Sequence, residues 1–176
     1  MPEVRADAPI SIRRAVSGSD LKQAAALAGD GAETREAIFS TRIGLGQACF
    51  IATVESEIIA YNWLLLEPCV DEGDVLALRP DEVFGTDAFT APEWRGRNIH
   101  AELLRRMLIF ARDNGRRAAY TEVNVFNTRS WKAHRRLGWT VSGRLLALRD
   151  RRDRYWEVCI AGTRHPIVRR IPAEAA

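Results

Sequence analysis

The chain predicts a mixed sheet with helices on both faces, in the α/β or α+β class. Three observations carry this. Stretches that alternate with period two and stretches that repeat every three to four residues follow one another in the order β-α-α-β-β-β-α-β-α-β-β. No internal repeat, linker or low-complexity segment interrupts them. The 176 residues are 47% apolar and 28% charged, the balance of a globular core rather than a disordered or fibrous chain. They read as one domain over 1–176, with its core at about 10–162 and short extensions at each end.

The elements follow in order. Ile10 to Val16 alternates and reads as a strand. Ser17-Gly18-Ser19-Asp20 supplies a helix N-cap, after which Leu21, Ala24, Ala25 and Ala28 recur at helical spacing. A second helix covers Ala32 to Ile43 with Ile38, Phe39 and Ile43 on its buried side, and Gly44 and Gly46 end it. Cys49 to Val54 and Glu57 to Glu67 form a hairpin about Glu55-Ser56. Pro68 to Pro80 is a loop holding one short strand, and Glu82 to Ala91 is a strand that Pro92 ends. From Asn98 to Asn114 the set Ile99, Leu103, Met107 and Phe110 marks an amphipathic helix closed by Asn114-Gly115. Ala118 to Val125 is a strand, Thr128 to Leu137 a helix closed by Gly138, and Trp139 to Leu148 a strand. The charged turn Asp150-Arg151-Arg152-Asp153 leads to a last strand, Tyr155 to Ala161.

Charge is divided unevenly. Residues 1–94 carry a net −9 and residues 95–154 a net +11, beneath an overall +3. Such a basic block suggests an anionic partner, a phosphorylated cofactor or nucleic acid, although any single arginine is as simply a solvated helix face. No helix-turn-helix, zinc-finger or aromatic RNA-binding pattern accompanies the block, so a small polyanion fits better and no nucleic acid is expected. Cys49, Cys69 and Cys159 are odd in number and scattered, and with His100, His134 and His165 they give no metal-ligand spacing. No metal and no disulfide are expected. The apolar run Ile58 to Leu66 is too short to span a bilayer and carries Asn62 in its middle. With no secretory signal visible at the start of the sequence, the expected compartment is the cytoplasm.

The most informative stretch is the turn Pro92-Glu93-Trp94-Arg95-Gly96-Arg97-Asn98 between a strand and the long helix. The first N–H groups of a helix are unpaired and its dipole end is positive, so a basic, Gly-containing turn at that point suits a phosphate. Plain connections also use Arg-Gly turns. Further on, Asn127, Ser130 and His134 share one helix face with Trp131 and Leu137, a face that must meet the sheet. A histidine there serves as readily in a core as in catalysis.

Pro92-Glu93-Trp94-Arg95-Gly96-Arg97-Asn98-Ile99-His100-Ala101-Glu102-Leu103-Leu104 resembles the pyrophosphate-binding motif of the GNAT superfamily of acyl-CoA-dependent N-acyltransferases. Glu122-Val123-Asn124-Val125-Phe126-Asn127-Thr128-Arg129-Ser130 with Arg136-Leu137-Gly138-Trp139 is similar to that family's second signature. The resemblance covers about residues 10–162 and implies a GNAT-like mixed, mostly antiparallel seven-stranded sheet with helices on both faces. It also implies an N-acyltransferase that moves acetyl from acetyl-CoA, or another acyl-CoA as co-substrate, to a primary amine by direct attack in a ternary complex. On this pattern Arg95, Gly96, Arg97, Asn98, Ile99 and His100 hold the pyrophosphate. Phe89, Thr90 and Ala91 supply backbone donors, one of them for the oxyanion. Asn127 and Ser130 contact the pantetheine arm or the adjacent helix turn. Glu122 is the expected base, with Asp87 a second candidate, and His134 the expected acid where the family often has Tyr, although an imidazole with an ordinary pKa could serve as acid or as base. The plainer reading of Glu122 is a partner for one of the arginines.

Two departures stand out. Asn98 and His100 occupy positions where the family has Gly or Ala. Asn tolerates the left-handed region, so the turn can survive, and the His100 ring could donate to a phosphate. A reshaped cofactor site is the other outcome, and it motivates the alternative of a degenerate module that binds acyl-CoA or a protein partner without turnover. The acceptor is a small-molecule or peptide amine. The acidic first half hints at a cation, and Tyr61 or Trp63 would line its pocket. A membrane partner is not expected, and a homodimer is compatible with the resemblance.

Overall fold

The computed structural model describes residues 10–71, 74–149, 155–162 and 167–170. Strand β1 (Ser11–Arg14) leads into helix α1 (Gly18–Leu27) through a capping box: Ser17 Oγ accepts the Asp20 N–H while the Asp20 carboxylate accepts the Ser17 N–H. Arg13 grips the same carboxylate at 2.7 and 2.8 Å. Helix α2 (Ala32–Gly44) follows, then the hairpin β2 (Ala48–Val54) and β3 (Glu57–Leu65), turned at Glu55-Ser56 with both residues at positive φ. The segment read as a loop with one short strand holds two, β4 (Cys69–Asp71) and β5 (Asp74–Leu76). Next come β6 (Glu82–Thr90), the long helix α3 (Ile99–Asp113), β7 (Ala118–Thr121) and α4 (Thr128–Arg136). The strands β8 (Gly143–Arg149), β9 (Tyr155–Gly162) and β10 (Ile167–Arg170) complete the order.

The main sheet runs β1-β2-β3-β6-β7, antiparallel throughout except for the parallel pair β6–β7. Its central strands bury both faces, which is why β2 and β3 read as near-continuous apolar runs. On one face Leu21, Ala24, Ala25 and Phe39 of α1 and α2 pack on Cys49, Ile51, Tyr61 and Trp63. On the other, Ile99, Leu103, Met107 and Ala111 of α3 pack on Ala48, Phe50, Ala60, Leu64 and Val83. The mixed class with helices on both faces therefore stands.

Several expectations need correction. The seven strands do not form one sheet: five do, β8 and β9 pair by themselves, and β10-β5-β4 make a third small sheet. The physical cause is the brevity of β7, which ends at Thr121 instead of continuing to Val125. It pairs with β6 only over Glu82–Gly85, so the strands part beyond that point. Strand β8 begins at Gly143, later than Trp139. On α2, Ile38 and Ile43 are 40% and 37% exposed, while Phe39 and Arg42 face inward. Positions i and i+3 touch the sheet, a narrower contact than the apolar count suggested. The turn Asp150–Asp153 and the N-terminal extension lie outside the described residues, whereas the C-terminal extension holds a strand the sequence did not announce, β10, which pairs with β5. Among those residues no helix is long and apolar enough to cross a membrane, and no cluster of three or more His, Cys, Asp or Glu could hold a metal.

Candidate active site

Between β6 and α3 the chain makes a single 3-10 turn, Pro92–Trp94, and then the bend Arg95-Gly96-Arg97-Asn98. Gly96 has φ +83° and Asn98 φ +58°, so two residues of the bend take the left-handed region that Gly and Asn enter most cheaply. A Cβ on Gly96 would meet nothing within 4 Å; the space over the bend is open. Asn98 is the N-cap residue of α3, and no side chain caps the helix. Its carbonyl takes the Glu102 N–H, which leaves the N–H groups of the first turn directed out at the bend. Arg95 donates from Nε to the Thr90 carbonyl at 3.0 Å and lies over the Phe89 ring; Arg97 lies over Trp94, 4.7 Å from its ring centre. Among the described residues no ion pair engages either guanidinium. Arg136 of α4 reaches back to Asn98 Oδ1 at 2.9 Å and ties the two helices at this point. Exposed N–H groups, open space and two uncompensated guanidinium groups fit an anion, and the diphosphate of coenzyme A is a group this end of α3 could hold.

A cleft of about 270 Å³ opens where β6 and β7 separate. Thr86, Asp87 and Ala88 line one wall; Thr121, Glu122, Asn124 and Asn127 line the other; His100, Leu104, Ser130 and His134 close it on the helical side. On β6 the register shifts: Tyr61 pairs with Phe89 but Trp63 pairs with Thr86, so Asp87 and Ala88 together oppose Asn62. This is a β-bulge with Asp87 at φ +47°. Beyond it, Ala91 N–H bonds the Ile59 carbonyl and Thr90 pairs with Ala60, which makes that pair the non-hydrogen-bonded kind. The Thr90 N–H therefore points away from β3, toward the side that β7 has left.

His134 is 5% exposed. Its Nδ1 lies 2.8 Å from the Ser130 carbonyl, which can only accept, so Nδ1 carries the proton and Nε2 the lone pair. Burial pushes its pKa below the usual histidine value, against the opposing effect of that hydrogen bond. His134 is thus neutral in the tautomer of a proton acceptor, the base of the two roles its ring could serve. The His100 ring packs 5.6 Å from the His134 ring, and Trp139 meets His134 edge-on at 5.0 Å. His100 Nε2, His134 Nε2 and Trp139 Nε1 are enclosed and lack a hydrogen-bond partner among the described residues. Burial, and next the nearby His134, take the His100 pKa down to about 4. The ring expected to donate to a phosphate is turned instead into the α3–α4 contact.

The other expected residues divide. Asn127 is the N-cap residue of α4 and accepts the Ser130 N–H at 3.1 Å, and Ser130 Oγ lies 3.3 Å from His134 Nδ1. Glu122 lines the cleft but is exposed and stands just past the end of β7, not mid-strand. Asp87 is engaged on both oxygens: Arg42 Nη1 donates to Oδ2 at 2.7 Å and Tyr61 Oη to Oδ1 at 3.4 Å. Tyr61 and Trp63, expected to line an acceptor pocket, are fully buried beneath α1 and α2 instead. The missed residue is Asn62. It is 2% exposed and lines the cleft. A lone amide inside an apolar strand was its signal.

The likeness to known proteins agrees with this geometry. A family model described as the acetyltransferase (GNAT) family matches residues 21–139. Among solved structures, AAC(6')-Iy in complex with the bisubstrate analogue CoA-S-monomethyl-acetylneamine is 21% identical with a TM-score of 0.65, over 82% of this chain and 99% of that one. The yncA protein of Salmonella typhimurium, solved with its cofactor acetyl-CoA, is 17% identical with a TM-score of 0.60, over 89% and 97%. The aminoglycoside 6'-N-acetyltransferase AAC(6')-Ih of Acinetobacter baumannii is 18% identical with a TM-score of 0.61, over 80% and 97%. At these identities the likeness is one of fold. No curated protein matches the sequence.

Proposed function

The chain belongs to the acetyltransferase (GNAT) family, and from that premise we propose that it moves the acetyl group of acetyl-CoA directly to a primary amine held in the same cleft. One observation carries the reading: the uncapped start of α3, with Gly96 open above it and Arg95 and Arg97 beside it, adjoins the gap between β6 and β7. The bend would hold the diphosphate, and the gap would take the arm that ends in the thioester. Acetyl-CoA, when bound, supplies an activated acetyl group. The protein's task is then to orient, to stabilise charge and to move protons.

The Thr90 N–H, directed into the gap, is placed to steady negative charge on the thioester oxygen. Glu122 at the mouth receives the first proton from an alkylammonium acceptor, directly or through water, and releases it to solvent. As the C–N bond forms the amine loses its second proton, which His134 Nε2 accepts and returns to sulfur as the C–S bond breaks, a step that requires the enclosed ring to turn its Nε2 into the cleft it lines. His134 enters as base and leaves as acid, which reconciles its tautomer with the role expected from its position. Asp87, already held by Arg42 and Tyr61, takes no proton in this scheme.

Thiol release from acetyl-CoA over a panel of amines, with the product checked by mass, tests the reading. Glu122→Gln and His134→Phe are each expected to lower turnover about tenfold or more with coenzyme A affinity nearly unchanged. Wild-type rates in both variants would remove the assigned roles.

A further inference from the structure

The ion pair between Arg42 and Asp87 joins two elements 45 residues apart and lies at the bulge where β6 pairs with β3. Arg42 is 3% exposed, on the inward face of α2, and its guanidinium lies over the Trp63 ring, 5.3 Å from the centre. Trp63 and Tyr61 flank Asn62, the residue that the bulge opposes, and Phe39 of α2 packs on both rings at 5.0 and 5.2 Å. The clamp thus rests on β3 opposite the bulge and binds the bulge residue Asp87 itself.

The bulge needs such a clamp. Asp87 holds φ +47°, a region that a non-glycine residue enters at a cost and keeps only when its surroundings enforce it. The bulge also sets phase. Alternate N–H groups of a strand point to opposite sides, so removing the one extra residue would slip the remainder of β6 by one position. The Thr90 N–H would then turn toward β3 and out of the gap.

We propose that Arg42 is a positioning residue for acyl transfer: seated on Trp63, it holds the Asp87 carboxylate and thereby keeps the β6 bulge in the register that aims the Thr90 N–H into the cleft. Arg42 touches no substrate in this account and acts through Asp87. The inference rests on the proposed function for its kinetic part alone; the hold on the bulge is a property of the unliganded protein.

The test has two arms. Amide hydrogen exchange over Thr86–Thr90 of the unliganded protein reads the clamp, and steady-state kinetics with acetyl-CoA reads its consequence. Arg42→Met keeps the stem on Trp63 and removes every donor; it should speed exchange in this segment at least tenfold. It should lower kcat at least tenfold with KM for acetyl-CoA within about twofold, and Arg42→Lys should recover part of the loss. Arg42→Met with Asp87→Gly should regain both protection and kcat relative to Arg42→Met, because glycine accepts positive φ without a clamp. Unchanged exchange in Arg42→Met overturns the proposal, as does faster exchange with unchanged kcat. Regained protection without regained kcat also overturns it, since the carboxylate itself would then matter. If Arg42→Met does not fold, Asp87→Asn removes the same ion pair from its less buried side and is read by the same criteria. A wild-type protein that transfers no acetyl group would sink the proposed function, and the exchange arm would still decide the clamp.

Discussion

His100 and His134 show how a single neighbour changes what a side chain is for. On a helix face either would pass for core; together, with Trp139, they enclose three nitrogens that lack partners among the described residues. Burial lowers the His100 pKa from the usual 6.5 to about 4, so the folded protein resists protonation that the unfolded chain accepts. The stability this contributes is complete above pH 6.5 and is lost as pH falls from 6.5 toward 4, a change of roughly 3 kcal/mol for a shift of this size. Asp20, held low by Arg13, would add its own loss only below the ordinary carboxylate range, outside that window. The melting temperature is expected to drop steadily between pH 6.5 and 4, and His100→Ala should flatten the slope; an equal slope in that variant contradicts the assignment. Asn62 makes the opposite kind of prediction. Its amide lines the cleft, where a substrate could hydrogen-bond to it. Asn62→Leu should leave stability equal or higher while raising KM for acetyl-CoA or the amine about tenfold, the worth of one good hydrogen bond. A lower melting temperature with unchanged KM would make Asn62 purely structural.

The bend into α3 and the bulge in β6 are the two elements that build the site, and they differ in how far the sequence discloses them. The bend is local. Gly96 and Asn98 announce positive φ, the arginines announce charge, and the amphipathic run from Ile99 announces the helix, so the shape of the bend was legible residue by residue. Asn98 also lets the element be tested: Asn98→Gly keeps the left-handed turn and should hold coenzyme A within about threefold, whereas Asn98→Val must strain there and should bind about tenfold more weakly. Equal affinities by calorimetry would show that the turn does not shape the site. The bulge is not local. Nothing in Gly85-Thr86-Asp87-Ala88 says that one residue will be left over, because the register depends on how β3 and β6 align. Glu122 suffered for the same reason. Its strand was read through to Val125, but β7 stops at Thr121 where its pairing with β6 ends at Gly85, a limit set by the partner strand and not by the propensities of Glu122-Val123-Asn124.

At the scale of the molecule, the division of charge and the division of labour coincide in part. The basic segment 95–154 contains the bend, α3 and α4, the side on which an anion would sit, and Arg136 joins the two helices at Asn98. The acidic first half contributes the opposite face, where the one buried cation on α2, Arg42, meets Asp87 rather than solvent. The class of fold could be read from the alternation of strand and helix, and the layers followed from which face of β2 and β3 each helix covers. The partition into five, three and two strands could not, since it arises where β6 and β7 separate, and that separation is also what opens the cleft. The claim on which everything else depends is that the start of α3 binds the diphosphate of coenzyme A. Calorimetric titration of the purified protein with coenzyme A tests it most directly: the expected result is a saturable, one-to-one heat that weakens as salt is raised and is accompanied by a higher melting temperature. No heat and no thermal protection at millimolar coenzyme A and low ionic strength would contradict it.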